Sequence, residues 1–226
     1  MKTHKPSVHF DLDGTLVDTA PDFYVVLNRV LEEAGRAPVS AAQVRQQVSN
    51  GARALIRLGF ALGPGDEDFE YWLNRLLDAY EQHLDVESCL FPGMAEVLQQ
   101  LDDAGIPWGV VTNKPERFSR PVLQGLGLGE RVGAIICPDH VQQRKPDPEG
   151  LLLACRQVGA DPLHSIYVGD HQRDIEAGRN AGMETVAALF GYIDAGDNPE
   201  DWNADHYIHQ ASELHGLIDT LAENYL

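Results

Sequence analysis

Short apolar runs that alternate with helix-length segments constrain the fold of this chain more than any other feature of its sequence. Five runs have the length and composition of buried strands: Val8–Phe10, Trp108–Val111, Ala134–Cys137, Ser165–Val168 and Thr185–Leu189. The later runs are separated by segments of helical length: Glu116–Leu126, Pro148–Val158 and Asp174–Ala181. Because strands that alternate with helices usually pair in parallel, the sequence predicts an α/β fold with a doubly wound parallel sheet.

One long segment, residues 20–90, interrupts the alternation because its apolar residues recur at helical spacing. The stretches "PDFYVVLNRVLEEAG" and "DFEYWLNRLLDAYEQHL" are each predicted to form an amphipathic helix. Two shorter helices are predicted in "AAQVRQQVSNGARALIRLGF", around a turn at Asn50–Gly51, and no strand is predicted in the segment. We therefore expect an α/β core of residues 1–19 and 91–226, with a small helical domain of residues 20–90 inserted after the first strand.

The charge balance limits the partners of the chain. Its 226 residues include 17 lysines and arginines and 35 aspartates and glutamates, which gives a formal net charge of −18. This charge disfavours binding to nucleic acid or to an anionic membrane, and an anionic small molecule would need basic residues placed locally. The three cysteines form no paired motif, and the amino-terminal stretch lacks the features of a signal peptide, so we expect a cytoplasmic location. The sequence leaves the oligomeric state open.

Acidic, hydroxyl and basic residues follow several of the predicted strands. In parallel α/β sheets ligands bind at the carboxyl ends of the strands, so these residues are expected to converge at one edge of the sheet. They are Asp11 and Asp13 after the first strand, Thr112, Asn113 and Lys114 after "WGVV", Asp170 and Asp174 after "SIYVG", and Lys145 before "PDPEG".

Asp11 and Asp13 are two residues apart, so their side chains point the same way if the strand geometry continues. Their carboxylates then repel each other unless a positive charge offsets theirs. A cluster of oxygen donors without cysteine or a histidine pair suits Mg²⁺ better than zinc. The stretch does not match a calcium-binding loop, which needs glycine at its sixth position and an acid with bidentate reach at its twelfth. Counted from Asp11, these positions are Leu16 and Asp22. A solvated acidic turn is the remaining alternative for the pair taken alone.

Four motifs carry a family resemblance. The stretches "DLDGT", "VVTNK", "RKPDP" and "VGDHQRD", in this order, resemble the motifs of the haloacid dehalogenase superfamily. The resemblance covers essentially the whole chain and implies that the inserted helical domain, residues 20–90, is a cap domain that selects the substrate. It implies a Mg²⁺-dependent phosphomonoester hydrolase that acts on a small-molecule phosphate ester.

The same resemblance implies catalytic roles. Asp11 would be the nucleophile that forms an aspartyl-phosphate, and Asp13 would act first as general acid and then as general base. The second carboxylate suits a phosphatase rather than a dehalogenase. Thr112 would donate a hydrogen bond to the phosphoryl oxygens, and Lys145 would neutralise their charge.

The metal ligands implied by the resemblance are the Asp11 carboxylate, the Asp13 backbone carbonyl and the Asp170 carboxylate. Asp174 would orient the site without binding the metal. His171 follows Asp170 where relatives often carry aspartate or serine. We interpret His171 as a surface substitution, with a pH-sensitive neighbour of the metal as the alternative.

Substrate selection is expected in the cap. The resemblance places a specificity loop at "SNGARAL", so Asn50, Gly51 and Arg53 are candidates to contact the leaving group, as are Asn113 and Lys114 beside the phosphoryl site. Arg53 or Lys114 could pair with a carboxylate of the substrate. The alternative for Arg53 is a solvated helix residue.

Within the superfamily, five stretches resemble the phosphatases of N-acetylmuramic acid 6-phosphate, which serve cell-wall recycling: "SNGARAL", "WGVVTNKPERF", "ICPDHV", "KPDPEGLLLAC" and "GYIDAGDNPEDWNAD". Phosphoglycolate phosphatases are the alternative, and both substrates carry a carboxylate. A sugar phosphomutase and a non-enzymatic metal-dependent binding module stay open. In the late loop Trp202 is expected to anchor the chain against the core, and His140 to have a local turn or capping role, so neither is assigned to catalysis.

Overall fold

The computed structural model describes residues 5–225, so Met1–His4 and Leu226, at the two ends of the predicted core domain, lie outside the described residues. In chain order the strands are β1 (Val8–Phe10), β2 (Val17–Asp18), β3 (Cys89–Leu90), β4 (Trp108–Val111), β5 (Ala134–Ile136), β6 (Ile166–Gly169), β7 (Glu184–Ala188) and β8 (His206–Ile208). The α-helices are α1 (Ala20–Glu33), α2 (Ala41–Arg45), α3 (Ala52–Phe60), α4 (Phe69–Glu81), α5 (Met94–Asp103), α6 (Glu116–Gly125), α7 (Glu149–Val158), α8 (Gln172–Ala181) and α9 (Leu214–Tyr225).

The main sheet has six strands, all parallel, in the order β5-β4-β1-β6-β7-β8. The prediction of a parallel α/β sheet is confirmed, and each predicted strand is present with its ends shifted by at most one residue. The sequence interpretation missed β8, which extends the sheet at one edge, and the two-stranded pair β2–β3.

The topology places β1 at the centre of the sheet. Strands β4 and β5 lie on one side of β1, and β6, β7 and β8 lie on the other. Successive strands are therefore added first on one side of β1 and then on the other, which makes the place beside β1 a switch point. Ligands bind at such switch points, at the carboxyl ends of the strands. The carboxyl ends of β1, β4 and β6 meet there.

Helices α1 to α4 (residues 20–81), called here the helical insertion, follow β2 in the chain and pack on one another. The predicted turn at Asn50–Gly51 is confirmed, and Gly51 begins α3 with a φ of 77°. The prediction of no strand in residues 20–90 is wrong at Cys89–Leu90, which pairs antiparallel with Val17–Asp18 where the chain leaves and re-enters the core. A two-residue strand that is partly exposed carries no periodic signal in the sequence.

One hydrophobic core joins the helical insertion to the sheet. It contains Phe10 of β1 and Phe118 of α6 together with Phe23 of α1 and Tyr80 of α4. No helix within residues 5–225 is long and apolar enough to cross a membrane. The three cysteines are free thiols, in agreement with the absence of a paired motif.

Candidate active site

Three buried carboxylates lie together at the switch point of the sheet. Asp11 follows β1, Asp170 follows β6, and Asp174 belongs to the first turn of α8. Each offers an oxygen within 4.8 Å of the others, and all three side chains are buried. Parallel pairing of β1 with β6, in which Phe10 lies opposite Val168, brings the ends of the two strands together just before Asp11 and Asp170.

Backbone and hydroxyl groups hold two of these carboxylates. The backbone N–H of Leu12 donates to Asp11 Oδ1 at 2.7 Å. Asp170 accepts from Thr15 Oγ1 at 3.0 Å and from the backbone N–H of Tyr192 at 2.8 Å. A side chain at Gly14 is excluded, because a Cβ there would lie 2.0 Å from Asp170 Oδ2.

Lys145 supplies a positive charge to the cluster. Its Nζ lies 3.0 Å from Asp11 Oδ1 and 2.7 Å from Asp174 Oδ1, and it donates to the hydroxyl of Tyr167 at 2.8 Å. That hydroxyl in turn donates to the backbone carbonyl of Val111 at the end of β4. The buried ammonium is therefore held by groups from three parts of the core: the residue after β1, strand β6 and helix α8.

The charges of this cluster do not balance. Burial raises the pKa of Asp170 well above its ordinary value, and the neighbouring Asp11 and Asp174 raise it further. Burial lowers the pKa of Lys145, but Asp11 and Asp174 outweigh this and hold it above the ordinary value. Three carboxylates around one ammonium, with oxygen donors alone, form a donor set that fits a hard divalent cation.

Asp13 turns its carboxylate towards a different lysine. Asp13 Oδ1 lies 2.8 Å from the Nζ of Lys114 and accepts from Thr19 Oγ1 at 2.5 Å. Lys114 also donates to the hydroxyl of Tyr80 at 2.8 Å. Burial lowers the pKa of Lys114, but Asp13 and Tyr80 outweigh it, so the net shift is upward.

Thr112 and Asn113 follow β4 at the same edge of the sheet. The hydroxyl of Thr112 is buried and accepts from the backbone N–H of Lys114 at 3.2 Å. The Asn113 amide donates to the backbone carbonyl of Lys145 at 3.3 Å. The second and third predicted motifs are thereby linked directly.

A cavity of about 450 Å³ lies between this edge of the sheet and the helical insertion. The predicted residues that line it are Asp11, Asp13, Asn50, Gly51, Arg53, Thr112, Asn113 and Lys114. The sequence interpretation did not single out three further arginines of the lining, Arg117, Arg144 and Arg173, or the apolar side chains Phe23, Leu73, Leu77 and Phe118.

The predicted specificity loop lies at the mouth of the cavity. Asn50 donates to the carboxylate of Asp194 in the late loop at 3.0 Å, and Arg173 donates to the carbonyl of Ser49 at 2.7 Å. Arg53 lies 3.1 Å from Glu70, and both side chains are more than half exposed. An exposed ion pair of this kind contributes little to the free energy of folding, so Arg53 can exchange Glu70 for another anionic partner.

Several side chains that contact the site were missed because they lie outside the four motifs. Tyr167 looked like an ordinary strand residue in "SIYVG", and Tyr80 lies four residues after Leu76 on the apolar face of α4. That helical spacing predicts burial, but it carries no signal for a bond to a lysine.

Two expectations for residues outside the chemistry are confirmed. Trp202 is buried against Ile175 of α8 and Ala187 of β7, and so anchors the late loop. His140 accepts a hydrogen bond from the backbone N–H of Cys137 in a short local turn. His171 likewise accepts from the backbone N–H of Arg173 at the start of α8, and burial lowers its pKa.

Comparison with known proteins identifies the family. Residues 8–188 match the family model described as haloacid dehalogenase-like hydrolase. The chain belongs to this family. It is 46% identical over 214 residues to an N-acetylmuramic acid 6-phosphate phosphatase of Pseudomonas putida, across 95% of this chain and 96% of that protein.

Two further relatives carry a different substrate name. A phosphoglycolate phosphatase of Xanthomonas campestris is 41% identical over 92% of this chain and 94% of its own. A crystal structure from Haemophilus somnus, described as a predicted phosphoglycolate phosphatase, superposes with a TM-score of 0.83 at 26% identity, covering 96% of this chain and 99% of that one. This haloacid dehalogenase-like hydrolase thus has the fold and family expected from its four motifs.

Proposed function

We propose that this hydrolase is a Mg²⁺-dependent phosphomonoesterase that transfers the phosphoryl group of a small ester to Asp11 and then to water. The observation that carries the proposal is the buried group of Asp11, Asp170, Asp174 and Lys145 at the cavity edge of the sheet. A carboxylate nucleophile flanked by an ammonium can attack an anionic phosphate, and the covalent intermediate divides one difficult step into two.

Each core residue has a role in this proposal. Asp11 attacks phosphorus, and Lys145 neutralises charge on both Asp11 and the transferring oxygens. Thr112 donates a hydrogen bond to those oxygens from the end of β4. Asp13 protonates the leaving oxygen and later accepts a proton from the hydrolytic water.

The cation is proposed to bind the carboxylates of Asp11 and Asp170 and the backbone carbonyl of Asp13. Asp174 also offers an oxygen within 4.8 Å of the other two carboxylates, but its contact with Lys145 suits the orienting role. When bound, the cation offsets the excess negative charge of the cluster and withdraws charge from the phosphoryl oxygens.

The proposed substrate is N-acetylmuramic acid 6-phosphate, with phosphoglycolate as the second candidate. The relative named for the amino-sugar phosphate is 46% identical, and the one named for phosphoglycolate is 41% identical. The cavity volume of about 450 Å³ suits a sugar-sized molecule, because pockets of this size hold ligands larger than a two-carbon acid. Its apolar side chains also suit an acetylated sugar ring.

The substrate carboxylate requires a cation at the cavity mouth. Lys114 is already paired with Asp13, whereas Arg53, Arg117 and Arg144 line the cavity and are exposed. We assign the carboxylate to these guanidinium groups, with Asn50, Gly51 and Asn113 as further contacts. The helical domain, residues 20–90, is the proposed cap, and the cytoplasm the proposed location.

The experiment is a comparison of kcat/KM for phosphate release from N-acetylmuramic acid 6-phosphate and from phosphoglycolate with Mg²⁺. We expect a preference for the amino-sugar phosphate of about tenfold or more. A preference for phosphoglycolate would overturn the substrate assignment and leave the phosphatase chemistry intact. Isomerisation of a hexose 1-phosphate with a bisphosphate primer, without phosphate release, would favour a mutase instead.

A further inference from the structure

Lys114 is the point at which the helical insertion contacts the reacting groups of the core. Its side chain is 6% exposed, and its Nζ lies 2.8 Å from Asp13 Oδ1 and 2.8 Å from the hydroxyl of Tyr80. The ammonium also lies 4.9 Å from the ring centroid of Phe23 and 4.8 Å from that of Tyr80. Two residues of the insertion therefore form a large part of its surroundings.

The Tyr80 hydroxyl that binds the ammonium is held in place by aromatic packing. Phe23 of α1 and Tyr80 of α4 stack with centroids 3.9 Å apart and planes inclined by 11°. Tyr80 also packs against Phe118 of α6 at 5.5 Å, and all three rings are buried. Because the Tyr80 hydroxyl accepts a hydrogen bond from the ammonium and Phe23 stacks on the Tyr80 ring, the location of Lys114 Nζ depends on how α1 and α4 are seated on the core.

The two carboxylate oxygens of Asp13 have different surroundings. Oδ1 accepts from Lys114 and from Thr19, the residue that precedes α1. Within residues 5–225, no group donates a hydrogen bond to Oδ2, and Asp13 lines the cavity. Anchoring Oδ1 restricts rotation of the carboxyl group and leaves Oδ2 available to a molecule in the cavity.

We propose that Lys114 and Tyr80 are positioning residues through which the helical insertion orients Asp13 for proton transfer. The proposal rests on the proposed phosphatase function. As the bond from Asp11 to phosphorus forms and the ester P–O bond breaks, the proton on Asp13 Oδ2 passes to the departing oxygen. Asp13 is left as a carboxylate, and Lys114 stays paired with its Oδ1.

The leaving group provides a readout that a merely structural role would not move. An alkoxide leaving group needs the proton from Asp13, whereas p-nitrophenolate is weakly basic and leaves without it. The probes are p-nitrophenyl phosphate and whichever of N-acetylmuramic acid 6-phosphate and phosphoglycolate is the better substrate, since both are alkyl esters. The parameter is kcat/KM, which reports the first phosphoryl transfer.

Tyr80→Phe removes the hydroxyl and keeps the stacked ring. We expect it to lower kcat/KM about tenfold for the alkyl ester and about twofold or less for the aryl ester. Lys114→Met is expected to give the same pattern, with a loss of about a hundredfold for the alkyl ester. Tyr71→Phe is the matched control, because Tyr71 lies on the same helix and is 63% exposed, and it should change neither value.

Equal losses on both esters, or no loss from Tyr80→Phe, would overturn the proposal. If Lys114→Met does not fold, Tyr80→Phe still decides the question. A wild-type protein that releases phosphate from neither ester would contradict the proposed function itself, and the positioning proposal would fall with it. Thermal unfolding of each variant separates loss of stability from loss of positioning.

Discussion

The two buried lysines of the site differ in the parts of the molecule that surround them. Lys145 contacts Asp11 and Asp174, both from the α/β core. Lys114 joins the core to the helical insertion, through the hydroxyl of Tyr80. Burial lowers the pKa of each lysine, and neighbouring groups outweigh it, so that both pKa values lie above the ordinary value.

This difference divides the proposed reaction between two regions. In the proposed reaction, the region around Lys145 binds the phosphoryl group, which is the same in every substrate. The region around Lys114 is proposed to face the leaving group, which differs from one ester to another. A sheet edge with fixed strand register suits the first task, and packed helices that can vary in sequence suit the second.

Replacing Lys145 should have the largest effect. Lys145→Met leaves the buried Asp11 and Asp174 without their ammonium, so we expect kcat to fall about a thousandfold on alkyl and aryl esters alike. Phosphate release from both esters measures this, and Lys5→Met, at an exposed position, is the control. A loss confined to alkyl esters would make the two lysines equivalent and break the comparison.

Removing the cation should stop the reaction on every ester, because the carboxylate cluster would keep its excess charge. Chelation followed by titration with Mg²⁺ measures this dependence. Thr15→Val deletes the hydrogen bond to Asp170 and should raise the Mg²⁺ concentration for half-maximal activity about tenfold. Full activity after exhaustive chelation would refute the metal assignment.

Arg53→Ala is expected to have a smaller effect, which is limited to binding of the leaving group. If Arg53 binds the substrate carboxylate equally in ground and transition states, KM should rise about fivefold with kcat nearly unchanged. p-Nitrophenyl phosphate has no carboxylate, so its KM should not move. An unchanged KM for the carboxylate-bearing ester would leave the assignment to Arg117 and Arg144.

A buried histidine outside both lysine regions should affect stability without a direct role in turnover. Burial lowers the pKa of His9 to about 4 from 6.5, so the folded protein binds its proton less readily than the unfolded chain. The free energy of unfolding should therefore fall by up to about 3 kcal/mol as pH drops from 6.5 to 4. Above pH 6.5 the contribution of His9 to this free energy should be constant. Denaturant unfolding of wild type and His9→Gln across this range measures it, and identical slopes would contradict the assignment.

Much of the fold was predictable because buried strands and the helices between them have distinct periodicities. The strand ends then placed Asp11, Thr112 and Asp170 at one edge without further information. The short strands Val17–Asp18 and Cys89–Leu90 were not predictable, because each depends on its partner rather than on a local pattern.

The different surroundings of the two lysines were harder to predict from the sequence. That Lys114 contacts substrate stays a prediction, and it lines the cavity; its contacts with Asp13 and Tyr80 were not predicted. The contact with Tyr80 depends on how α4 packs against the core, and residue spacing within α4 cannot specify it. The arginines Arg117 and Arg144 were missed for a similar reason, since exposed charges on helices and loops are usually solvated.

The central claim is that Asp11 receives the phosphoryl group. The most direct measurement is to quench the enzyme during turnover with Mg²⁺ and an ester, reduce it with borohydride, and locate the modified residue by mass spectrometry. Reduction of an aspartyl-phosphate gives homoserine, so the account predicts homoserine at position 11 in wild type and none in Asp11→Asn. Turnover without modification at position 11, or modification at another residue, would contradict it.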